Sequence, residues 1–92
     1  REEALDLYQR AIDAGGGAEW WARMAPLAPE RAVAGLRAHV EAAPEAGAAW
    51  GALGDLYRAQ GDREAARAAY DKARTLESTS LVYEIRYRQM GG

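Results

Sequence analysis

The chain has 92 residues, with 12 basic and 14 acidic side chains, a formal net charge of -2, no cysteine and 49% hydrophobic residues. That length holds one small domain, and the hydrophobic content is too high for a disordered chain. Interspersed charge of both signs argues against a nucleic-acid module, which concentrates Lys and Arg on one face. The lack of cysteine excludes disulfides and thiolate metal sites, and no apolar run approaches the roughly 20 residues that span a bilayer.

Six helical segments are expected. In residues 1–14, Ala4, Leu5, Tyr8, Ala11 and Ile12 recur at helical spacing. Gly15, Gly16 and Gly17 end this helix, because consecutive glycines lose too much backbone entropy to stay helical. They lack the Lys and Ser/Thr of a phosphate loop and read as a linker. A short second helix covers about 18–25 and is stopped by Pro26 and Pro29. Pro29 suits the first turn of a third helix, which runs to about Ala42 with Pro44 just beyond. The fourth covers about 45–60 and is closed by Gly61. Asp62 is a good N-cap for the fifth, Glu64 adds a negative charge in its first turn, and it reaches about Leu76. Ser78, Thr79 or Ser80 could cap a sixth helix over 81–90, ended by Gly91 and Gly92. No segment alternates like a strand, and the short linkers imply antiparallel helical hairpins.

Trp50, Leu53, Gly54 and Tyr57 stand at i, i+3, i+4 and i+7 and share one face of the fourth helix. Ala66, Ala69, Tyr70 and Ala73 repeat that spacing on the fifth. Small Gly54 and Ala66 let the two backbones approach, with Trp50, Tyr57 and Tyr70 filling the space on either side. The run Trp50-Gly51-Ala52-Leu53-Gly54-Asp55-Leu56-Tyr57, continued by Ala66, Tyr70 and Ala73, resembles the tetratricopeptide repeat. Residues 47–80 resemble one complete repeat, with Ser78 where the family usually has proline. Ala32, Leu36 and Pro44 occupy the places of Ala66, Tyr70 and Ser78 one 34-residue repeat earlier, with His39 in place of Ala73. Trp21, Met24 and Ala25 align with Trp50, Leu53 and Gly54, so residues 18–44 read as a shortened, degenerate repeat. Residues 1–14 look like the second helix of a partial repeat. Residues 81–90 look like the first helix of a later repeat or a capping helix. The resemblance implies an all-α fold, a right-handed superhelical stack of antiparallel helix pairs.

In the family, the Trp50 set is structural and the first helices line a concave groove that receives peptides. The resemblance therefore points to Ala48, Gly51, Asp55, Arg58 and Ala59, on the other side of the fourth helix. Asp55 and Arg58 would be polar contacts beside a small-residue floor, or an i, i+3 ion pair on a solvated face. The family's clamp for carboxylate termini has Lys and Asn at the places of Gly51 and Asp55, so that subtype is not expected. Trp20 either packs on the first helix or stays exposed as an interaction anchor. Tyr83, Tyr87 and Met90 form a stripe that should cover the end of the core, leaving Arg86 and Arg88 to meet solvent or an acidic partner.

His39 has no nucleophile or orienting acid to make a triad and no companions for a zinc site. Glu41 and Glu45 flank a turn and do not form an acid–base pair. Neither catalysis nor a metal or other cofactor is expected. The expected partner is a protein or peptide, without nucleic acid and without membrane insertion. A structural spacer that self-associates through exposed array ends is the alternative, and a regulatory domain of an enzyme outside these residues is another. The absent initiator methionine and the arginine, alanine and glycine bias lead us to expect a segment of a longer bacterial protein. No feature assigns a compartment; the cytoplasm is favoured slightly over a bacterial periplasm.

Overall fold

A computed structural model describes residues 2–15 and 17–91. Arg1, expected in the first helix, and Gly16 and Gly92, expected at two glycine stops, lie outside the described residues. The rest form six helices and no strand: α1 (Glu2–Asp13), α2 (Ala18–Met24), α3 (Pro29–Ala42), α4 (Gly47–Ala59), α5 (Arg63–Leu76) and α6 (Leu81–Gln89). Helix α4 starts later than its sequence pattern suggested. Ala46 is its non-helical N-cap, and Ala46 and Gly47 donate to the carbonyls of Ala43 and Glu45 in the preceding turn.

The turn between α4 and α5 is the most fully specified. Gly61 adopts φ +83°, a left-handed conformation that costs glycine little. Its N–H donates to the Arg58 carbonyl, and the Asp62 N–H donates to that of Tyr57. These two bonds satisfy carbonyls that the end of a helix leaves open. Asp62 then caps α5, its Oδ1 accepting from the Ala65 N–H at 3.1 Å. At α6 the N-cap is Ser80, whose side chain makes no capping bond.

The α4–α5 hairpin is the centre of the fold, with α3 and α6 packed on either side of it. Leu36 and Val40 of α3, Ala49 and Leu53 of α4 and Ala69 of α5 form one core cluster, against which Trp21, Trp50, Leu56 and Tyr57 pack. A second cluster of Met24, Ala25 and Ala32 is covered by Leu5, Tyr8 and Ile12 of α1. Ala66, Ala69 and Ala73 are buried and bring α5 close to α4. Tyr70 fills the seam, but it does not lie beside Gly54 as expected. Its ring lies over Gly54, where an added Cβ would sit 2.5 Å from the Tyr70 Cε1.

Helix α6 has no buried residue, a property it shares with the described residues of α1 and not with α2–α5. Polar and aromatic contacts attach it. Arg86 pairs with Asp55 of α4 at 3.1 Å, and Glu84 pairs with Arg74 of α5 at 3.1 Å. The Tyr87 ring lies under the Arg74 guanidinium, 4.0 Å from its centroid. Arg88 donates to Glu84 at 2.8 Å, and Arg74 also reaches Asp71. The expectation that Arg86 and Arg88 are free is therefore corrected: both hold carboxylates. Glu84 and Arg88 stand 34 residues after Trp50 and Gly54, so a bonded charge pair occupies the register positions that carry the packing motif in α4. Leu81, Val82 and Ile85 remain exposed, at 70%, 48% and 54%.

Candidate protein-binding surface

The indole of Trp50 is fixed at its edge, its Nε1 donating to the Pro44 carbonyl at 2.9 Å. Leu53 is buried on the same face, and Tyr57 is half-buried. This face does the packing that its spacing suggested. Trp21 plays a comparable part on α2, touching both clusters. His39 is half-buried on α3.

The structure divides the six residues expected to bind a partner. Gly51 is buried, and the ring of Tyr83 lies where its Cβ would point. Asp55 is half-buried beside it. One carboxylate oxygen accepts from the Tyr70 hydroxyl at 2.6 Å and the other from Arg86 at 3.1 Å. Asp55 therefore reaches across to α5 and α6 and makes no ion pair with Arg58 three residues on. Burial, and then the bond to the Asp55 carboxylate, push the Tyr70 hydroxyl well above the usual tyrosine range. Gly51 and Asp55 are thus seats for α6 and no open floor. Ala48, Arg58 and Ala59 are exposed. Trp20 is half-buried, its ring tilted against Tyr8 of α1 at 6.1 Å and covered by Arg23 at 5.1 Å.

Ala59 belongs to a larger feature. Between α2 and α4 lies an apolar groove of about 430 Å³, lined by Ala22, Ala25, Pro26, Pro29, Leu56 and Ala59, with Gln60 as its one polar side chain. The groove follows from sequence. Pro26 and Pro29 cut α2 short, and alanines on both helices leave space that larger side chains would fill. Only Ala59 of this lining was anticipated. The early prolines were the available signal, since a first helix that stops early cannot cover its neighbour's last turn.

The family model described as the tetratricopeptide repeat matches residues 47–80, the segment that contains α4, the capped turn and α5. The chain carries a tetratricopeptide repeat. In this tetratricopeptide repeat, Trp50, Leu53, Gly54, Tyr57, Ala66, Tyr70 and Ala73 make the α4–α5 seam. No curated protein matches the chain. Among the described residues, no three His, Cys, Asp or Glu side chains are grouped to hold a metal ion, and no helix is long and apolar enough to cross a membrane. A tetratricopeptide repeat supports a role in protein–protein interaction. The open surface on the first-helix side of this one is the α2–α4 groove.

Proposed function

We propose that the chain is a protein-interaction module that receives a peptide or protein segment on the side formed by α2 and α4. The observation that supports this reading is the apolar groove of about 430 Å³ reaching from Pro26 to Ala59. Its lining is almost wholly aliphatic, which suits apolar side chains of a partner. Arg58, exposed on α4 and next in sequence to Ala59, supplies a cation for a partner that extends beyond the groove. Ala48 and Trp20 lie outside the groove's lining and act as outlying contacts. On this reading the module performs no chemistry itself, and α6 serves as a cap.

The test is a pull-down with the intact parent protein, followed by titration of the partner it recovers. Ala59→Arg fills the groove at an exposed position and should abolish binding with little change in melting temperature. Arg58→Ala should weaken binding and alter stability by less than about 0.5 kcal/mol, as exposed substitutions usually do. A partner that binds both variants as it binds the parent protein would exclude this groove.

A second reading rests on a separate observation. Leu81, Val82 and Ile85 form an exposed apolar strip on α6, and such patches favour association. A spacer that self-associates through this end would grow in size with concentration by light scattering, and Ile85→Glu would return it to monomer.

A further inference from the structure

On the opposite side of the α4–α5 hairpin, α3 and α5 flank α4 and leave a second groove of about 360 Å³. Its floor is Trp50, Leu53 and Tyr57 of α4. Val40 of α3 forms one wall, and Ala65 and Ala68 of α5 form the other. The space exists because the α5 wall is alanine. Methyl groups there are too short to meet α3, so the aromatic floor stays half-exposed. The Trp50 indole N–H already donates to Pro44. What it presents to the groove needs no hydrogen bond, which suits an apolar guest.

The rim is charged asymmetrically. Arg37 stands on the α3 wall and Lys72 on the α5 wall, and Glu41 lies one turn beyond Arg37. The Lys72 ammonium lies 5.7 Å from the centroid of Trp50. No carboxylate lies within ion-pair distance of Arg37 or Lys72, and no cation lies within that distance of Glu41. These absences concern described side chains only. Lys72 on the α5 wall faces Arg37 and Glu41 on the α3 wall across an apolar slot, which leaves the rim with one net positive charge. A guest that brings a carboxylate beside an apolar side chain finds complementary charge between Lys72 and Arg37, whereas a basic guest at that place meets repulsion from both, with Glu41 a turn away as its one attraction.

We infer that this groove is a second docking site, and that its occupant is an acidic–hydrophobic segment of a partner protein. One large apolar side chain, leucine or an aromatic, lies on Trp50 and Leu53, and an adjacent Asp or Glu lies between Lys72 and Arg37. The slot holds about one such side chain with its neighbouring backbone. It is open along its length between two helices, so a free small acid would leave one side in water. A side chain presented by a longer chain gains further contact along α3 and α5. The inference does not depend on the α2–α4 groove, which lies on the other side of α4.

The experiment is an NMR titration of the full chain with three capped tetrapeptides: acetyl-Glu-Leu-Phe-Glu-amide and its counterparts with Gln or Lys in place of both Glu residues. Single-site contacts of this size are weak, so peptide is carried into the millimolar range. The acidic peptide should shift the Trp50 indole N–H and the amides of Val40, Tyr57 and Ala68. It should bind at least about threefold more tightly than the Gln peptide, as expected for exposed charge pairs. The Lys peptide should bind most weakly. Arg37→Glu combined with Lys72→Glu should invert that order. Ala68→Gln, which fills the slot at an exposed position, should weaken all three peptides, and the melting curve of each variant shows that it is folded. Ala59→Arg should leave the titration unchanged. Absence of shifts, shifts centred on Ala22 and Ala59, or equal affinity for the three peptides would each overturn the assignment.

Discussion

The Tyr70 hydroxyl donates a 2.6 Å hydrogen bond to Asp55, and the other oxygen of that carboxylate holds Arg86. One aspartate on α4 therefore joins the buried seam with α5 to the docking of α6. Tyr70 itself is fully buried. Tyr70→Phe keeps the ring and removes the bond, and a typical cost is about 0.5–1.5 kcal/mol. Arg86 remains to satisfy Asp55, so the lower half of that range is expected from urea unfolding. Amide exchange in α6 should quicken as well.

The same hydroxyl makes the protein sensitive to alkali. Its proton is held more tightly in the folded state than in the unfolded chain, where tyrosine ionises near pH 10. The stabilisation is complete below about pH 10 and is lost as the pH rises further, because only the unfolded chain gains by ionising. Thermal melts between about pH 9 and 11 should show a decline that Tyr70→Phe reduces.

Gly54→Ala puts a methyl group 2.5 Å from the Tyr70 ring. The ring is buried between helices and has little room to move, so overpacking should cost about 1–3 kcal/mol. Each kcal/mol corresponds to roughly 4–8 °C in melting temperature for a domain of this size. Gly54→Leu should be worse. A melting temperature unchanged by either would mean that Tyr70 does not lie on Gly54.

Helix α6 should loosen in acid and in salt before the remaining helices do. Bonds from Arg88 and then Arg74 hold the Glu84 carboxyl below the ordinary carboxylate range. A depressed folded value stabilises α6 above the unfolded value near 4.3 and ceases to do so as the pH falls through the folded one. Hydrogen exchange measured at pH values below about 4, and separately in high salt, should show α6 opening while α4 and α5 stay protected. Glu84→Gln should give the same loosening at neutral pH.

Asp62→Ala removes the cap on α5 and leaves the Ala65 N–H without its acceptor. A loss of about 1 kcal/mol is expected from the melting curve. Asp62→Asn should restore most of it.

The α4–α5 unit was legible because several signals coincided in one stretch: the i, i+3, i+4, i+7 spacing from Trp50, the Gly61–Asp62 turn, and the row of small residues from Ala66. Pro29 and the two glycines beside Gly16 likewise placed the ends of α1 and α3 within a residue or two. The partner-binding set was less legible. A helical wheel gives the direction in which Gly51 and Asp55 point, but not what meets them. Tyr83 and Arg86, about 30 residues away, are what meets them. The grooves were hidden for a related reason. Each is made by the shortness of alanines relative to the distance between helices, and that distance is a property of the assembled fold.

The ion pair between Glu84 and Arg88 bears on how anything could be stacked beyond α6. At the matching register on α4 there is bare backbone at Gly54, into which a neighbour's ring descends. On α6 a newcomer would meet a guanidinium side chain that is 74% exposed and already bonded. Stripping its water would find no hollow in return. The readier seat is the edge made by Leu81, Val82 and Ile85. A layer added along that edge would pack on branched apolar side chains and not on bare backbone, so the α4–α5 seam would not be repeated at α6.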